Sequence, residues 1–158
     1  MQKISPFLWF DNQAEEAANY YVSIFKDSKI LDVSRYGEGA PLPAGTVMGV
    51  TFVLDGAEFQ ALNGGPQYSF TEAISLFVRA ETQDEIDDLW DKLTADGEPG
   101  PCGWLKDKYG LSWQIVPPIL GELLADPDPD KAAAVMRAMM EMGKLDIDGL
   151  RGAYNAVA

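Results

Sequence analysis

Phe7 and Phe77 stand 70 residues apart, as do Asn12 and Thr82, and the pattern around each pair is the same. A strand-like run, a capped helix and three further strand-like runs therefore occur twice. That repeat limits the fold more than any other feature of the chain. In the first copy Ile4 to Phe10 reads as a strand, and Asn12 with Glu15 has capping-box spacing. Ala17, Tyr20, Tyr21, Ile24 and Phe25 recur at helical spacing and predict an amphipathic helix to about Phe25. Lys29 to Tyr36, Thr46 to Leu54 and Glu58 to Leu62 read as strands, with Asp55-Gly56 a hairpin turn between the last two. Residues 37–45 form a flexible loop, and Asn63-Gly64-Gly65-Pro66 closes the copy.

The second copy opens with a strand from Ala73 to Val78, followed by Thr82 and Glu85 as a capping box. Ile86, Leu89, Trp90 and Leu93 make the inner face of a helix to about Ala95. Residues 97–103 must supply the first returning strand, which Pro99 and Pro101 place at an edge or bulge. Two strands joined by a turn over Lys106 to Gly110 fill Cys102 to Pro117. In the last of them Ser112, Gln114 and Val116 point one way, and Trp113 and Ile115 the other. Gln114 is then a polar side chain in an apolar segment, and a buried amide must find partners.

Beyond Pro117-Pro118 the pattern turns helical. Ile119 to Ala125 predicts a short helix, Asp128-Pro129 a cap with proline at the first helical position, and Asp146 the cap of a last helix. Ala132, Val135, Met136, Met139, Met140 and Met142 cover one side of the middle helix, a packing or dimer face. The expected organisation is one domain of paired modules over 1–117 (about 1–66 and 70–117). A helical extension over 118–158 packs on that domain or on a dimer partner.

Composition narrows function by exclusion. The chain has no histidine, so Ser–His–Asp and Cys–His nucleophilic systems and the usual histidine-bearing zinc and iron sites are ruled out. A net charge of −13 disfavours nucleic acid and anionic membranes as partners. No apolar run reaches transmembrane length, the N-terminus lacks a signal-peptide pattern, and one cysteine forms no internal disulfide; a cytoplasmic protein is expected.

The doubled pattern, together with the run from Asp107 to Ile115, resembles the vicinal oxygen chelate superfamily of glyoxalases, bleomycin-resistance proteins and extradiol dioxygenases. ISPFLWF, the helix ending NYYVSIF, the loop ALNGGP, the segment CGWLKDKYGLSWQIVP and LADPDPDKA are similar to its PhnB-like branch. That branch is often labelled 3-demethylubiquinone-9 3-methyltransferase. The resemblance implies an α+β fold of two tandem βαβββ modules, a curved, half-barrel-like mixed sheet around a shared cavity, and a homodimer. It also implies where metal ligands would stand: near Pro6, near Ala73, near Gln60 and at Gln114. Neutral amides without histidines make a poor metal site, so no metal and no cofactor are expected. No glycine-rich strand-to-helix loop supports nucleotide-cofactor binding either.

Candidate cavity-lining residues are Gln60, Gln114, Trp104, Phe7, Trp9, Ser75, Phe77 and Cys102. Each also has an ordinary structural use: the amides bond backbone, the aromatics fill core, and Cys102 is an inert small side chain. No catalytic residue is assigned. The acidic run Asp84, Glu85, Asp87, Asp88 and Asp91 reads as a solvated helix face. The expected function is metal-free binding of a small, partly apolar or aromatic molecule. The alternatives are a superfamily enzyme (a metal-assisted lyase or isomerase, or a quinone methyltransferase) and a structural dimer with a filled cavity.

Overall fold

A computed structural model describes residues 2–158 and divides into two compact units, Met1–Phe70 and Thr71–Ala158. In the first, β1 (Phe7–Phe10), α1 (Ala14–Ile24), β2 (Lys29–Arg35), β3 (Val47–Leu54) and β4 (Ala57–Asn63) form a four-stranded sheet in the order β1-β4-β3-β2. β1 runs parallel to β4, and the rest is antiparallel. The second unit repeats the order with β5 (Ser75–Arg79), α2 (Gln83–Thr94), β6 (Glu98–Pro99), β7 (Trp104–Lys106) and β8 (Ser112–Val116), arranged β5-β8-β7-β6. The repeat holds at single-residue register: Phe7 pairs with Gln60 as Phe77 pairs with Gln114. The fold is α+β, with two mixed sheets and no closed barrel among the described residues.

Strand alternation sets the two faces of each sheet. Leu8, Phe10, Val50, Phe52, Leu54, Phe59 and Ala61 are buried in the first unit, as are Ala14, Ala17, Ala18 and Tyr21 of α1. In the second unit Leu105, Trp113 and Ile115 are buried, as are Ile86, Leu89, Trp90 and Leu93 of α2. The other face of each sheet is open, and Phe7 and Phe77 stand on it 57% and 61% exposed. Asp55 and Gly56 both have positive φ (48° and 80°), the geometry of the tight turn that matches strand twist.

Several boundaries shift for physical reasons. Strand pairing begins at Phe7, leaving Ile4 outside the sheet and 88% exposed. Asn12 does not cap α1. The helix starts at Ala14, whose N–H donates to Asn63 Oδ1 at 2.8 Å, so the cap comes from the end of β4. Thr82 does cap α2 by accepting from the Glu85 N–H, but Glu85 reaches back to the N–H of Glu81 rather than of Thr82.

The extension comprises α3 (Pro118–Leu124), α4 (Pro129–Met140) and α5 (Ile147–Asn155), all within the second unit. Leu120, Leu123, Val135, Leu145 and Leu150 form its buried cluster, with Met139 and Met142 packed against it. Met136 and Met140 lie outside that cluster, 41% and 65% exposed, so the methionine side splits in two. Asp128 caps α4 as its sequence predicts, by accepting from the Asp130 N–H. Asp146 occupies the N-cap position of α5 without making the bond. Gln83 of α2 makes it instead: its Oε1 accepts from the Ile147 N–H at 2.8 Å, and its Nε2 donates to Leu145 O and Asp87 Oδ1 at 3.0 Å. One amide therefore ties the extension to α2. Gln83→Ala is expected to destabilise the second unit by about 1–2 kcal/mol, measured by urea unfolding, whereas Asp146→Ala costs less.

Candidate functional site

A cavity of about 470 Å³ opens in the second unit. The prolines that confine β6 to the sheet edge build one wall, Pro99 and Pro101. Trp104, Leu105 and Lys106 of β7 and Ser112 of β8 contribute the rest, with Glu72, Glu98, Gly100 and Cys102. The loop before β7 is held in an unusual backbone shape. Cys102 (φ 60°) and Gly103 (φ 86°) are both left-handed, and their N–H groups donate to Met142 O and Gly143 O at 2.8 Å. The C-terminal extension thus fixes the cavity wall. Cys102 is half-buried there, conformationally constrained rather than placed on a free rim.

Register arranges the open face of this sheet in two lanes. Phe77, Gln114 and Trp104 are successive cross-strand partners, and so are Ser75, Ser112, Lys106 and Glu98. Aromatic and polar side chains consequently lie side by side. Gln114 Nε2 donates to Ser75 Oγ at 3.0 Å, which answers what this amide faces. Lys106 Nζ forms an ion pair with Glu72. That hydrogen bond, with the charge of Lys106, holds the Glu72 carboxyl below the usual carboxylate range. The same bond, aided by the charges of Glu72 and Glu98, raises the Lys106 amine. Because one pKa falls and the other rises, the pair is complete between the ordinary values of 4.5 and 10.5. It is lost as pH falls through the Glu72 value or climbs through that of Lys106. Both groups are exposed, so the pair holds geometry more than stability.

The β7–β8 turn is organised by Asp107, which is 3% exposed. Its Oδ1 accepts from the N–H groups of Tyr109 and Leu111 at 2.8 and 3.1 Å, and its Oδ2 accepts from Trp113 Nε1 at 2.9 Å. One satisfied carboxylate therefore ties the turn to Trp113 of β8.

The sequence candidates divide between the two units. Trp104 and Cys102 line the cavity, and Gln114, Ser75 and Phe77 share the open face beside it. Phe7, Trp9 and Gln60 lie on the open face of the first sheet, in its own unit. There Trp9 Nε1 donates to Gly65 O at 3.0 Å, and the ring meets Tyr68 edge-on. Glu72, Lys106 and Ser112 were not legible as cavity residues. The alternation of Trp104 and Lys106 around buried Leu105 is the signal that could have placed Lys106. The superfamily's metal positions do not fit a metal here. Pro6 and Ala73 carry no ligating side chain, Gln60 and Gln114 offer only neutral amides, and among the described residues no three Cys, Asp or Glu side chains converge as ligands.

Residues 2–116 match the family model for 3-demethylubiquinone-9 3-methyltransferase. The chain belongs to this family. A PhnB protein from Bacillus cereus carrying the same label is 43% identical, with 73% of this chain covering 99% of that one at a TM-score of 0.67. A Pseudomonas aeruginosa protein (18% identity, 74% and 98% coverage, TM-score 0.61) and the fosfomycin resistance protein FosX of Listeria monocytogenes (12%, 77% and 97%, TM-score 0.51) share the fold. No curated protein matches the chain. The family match ends where β8 ends, so the 3-demethylubiquinone-9 3-methyltransferase model does not include the α3–α5 extension that buttresses the cavity. Among the described residues no helix is long and apolar enough to cross a membrane.

Proposed function

We propose that this PhnB-like chain is a metal-free binding protein for a small, partly apolar or aromatic molecule, held in the cavity of its second module. The observation that carries this is the cavity itself: its volume suits a small organic ligand, and Trp104, Pro99 and Pro101 give it apolar walls beside a charged pair. The tryptophan supplies a flat contact surface at little entropic cost. The reading includes a homodimer, as the family resemblance implies. Isothermal titration with quinone-like or simple aromatic compounds is expected to give saturable heat, and Trp104→Ala to weaken binding by about tenfold or more. Unchanged affinity in that variant would place the ligand elsewhere.

The family description favours a second reading, methyl transfer to a quinone. It requires a site for S-adenosylmethionine, and the chain's one Gly-Gly pair, Gly64-Gly65, follows β4 without opening a helix, unlike a nucleotide cradle. Saturable binding of S-adenosylmethionine would support transfer over simple binding.

A further inference from the structure

We propose that the second module's cavity selects an uncharged, largely apolar molecule bearing one hydroxyl or carbonyl oxygen, and that Ser112 recognises that oxygen. The inference rests on the ligand-binding reading above and adds the chemical class of the ligand. Ser112 is 1% exposed, and its hydroxyl is a buried side-chain polar atom with no hydrogen-bond partner among the described residues. Such groups are rare because an unmade buried hydrogen bond costs stability, and they call for an explanation. Register puts Ser112 opposite Lys106, on the face that also carries Trp104, and all three line the cavity. Its polar neighbours are committed to each other: Ser75 Oγ accepts from Gln114, and Lys106 is paired with Glu72. A ligand oxygen completes what the fold leaves open.

Charge decides the rest. The cavity holds two carboxylates, Glu72 and Glu98, and a single ammonium, Lys106, in a chain of net charge −13, so an anion is repelled. A cation meets carboxylates that Lys106 already serves, Glu72 through an ion pair and its cross-strand partner Glu98 through its charge. The Lys106 and Glu72 side chains, which line the cavity with Ser112, are 38% and 62% exposed, so an incoming ligand can shift them at small cost.

Two measurements on the full chain test this. Without ligand, Ser112→Ala removes an unsatisfied hydroxyl and is expected to raise the melting temperature by about 3 °C. In calorimetry p-cresol is expected to bind about tenfold more tightly than p-xylene, its methyl isostere. p-Toluate and 4-methylbenzylammonium should bind more weakly than p-cresol. Ser112→Ala should then bind p-cresol and p-xylene equally. A lower melting temperature in the variant, or a preference for p-cresol that survives the substitution, overturns the assignment of Ser112 while leaving the ligand-binding reading intact. Failure of every probe to bind the native chain overturns both.

Discussion

Asp107→Ala is expected to lower the stability of the second unit by about 4 kcal/mol, with a fall of roughly 10 °C in melting temperature. The carboxylate is buried and accepts from two backbone N–H groups and the Trp113 indole, so its removal strands three donors at once. Asp107→Asn should cost about half as much, because its Oδ1 still serves the turn while its amide nitrogen meets the indole donor. Combining it with Trp113→Phe should then add less than the sum of the single effects, since the two side chains share one bond. Denaturant unfolding of the set reads all of these. A loss below about 1 kcal/mol for Asp107→Ala would mean that the turn is held from elsewhere.

Gly97→Ala is expected to be nearly as damaging, at about 3 kcal/mol, and to abolish the cavity. A Cβ at this position would lie 2.9 Å from the carbonyl carbon of Asp107 and closer still to the carbonyl oxygen of Lys106. Both are backbone atoms of the neighbouring strand segment and have no room to yield. Relief can come only by moving β6 off β7, and β6 carries Glu98 and Pro99 of the cavity wall. The variant should therefore lose stability and ligand affinity together. By contrast Gly110→Ala, which meets nothing within 4 Å, should suffer only the strain of its left-handed backbone (φ 85°).

These two positions show where reading the sequence succeeds and where it stops. The repeat was legible because strand alternation and helical spacing are local, and the same periodicity recurs around Phe7 and Phe77. The opposed faces of Trp113 and Gln114 followed from alternation alone, and the structure buries the one and leaves the other on the open face. Helix caps were legible only when local. Thr82 and Asp128 cap their own helices, while Asn63 and Gln83 cap across the fold, at separations that sequence patterns do not encode. Gly97 read as the start of the first returning strand, but the close approach of backbones that requires a glycine there depends on where β7 passes. Asp107 read as one residue of a turn. Its burial depends on the indole it meets six residues later.

The candidate site was visible in part for the same reason. Trp104 and Cys102 sit in segments whose strand and turn signals are strong, and both line the cavity. Lys106 and Ser112 stand opposite one another only because the hairpin register pairs them, and Glu72 reaches Lys106 from before β5. No spacing rule brings Glu72 and Lys106 together. In the first unit Trp9 lies over the backbone of Gly64, where any side chain would collide with the indole, so that glycine serves packing.

Amide chemical-shift mapping of the full chain titrated with p-cresol tests most directly whether a small organic molecule binds in the second module's cavity. Shifts concentrated at residues 98–106 and at Ser112, saturating with the added compound, are the expected result. Shifts confined to the first unit, or none at these residues while a divalent cation perturbs Gln60 and Gln114, would contradict it.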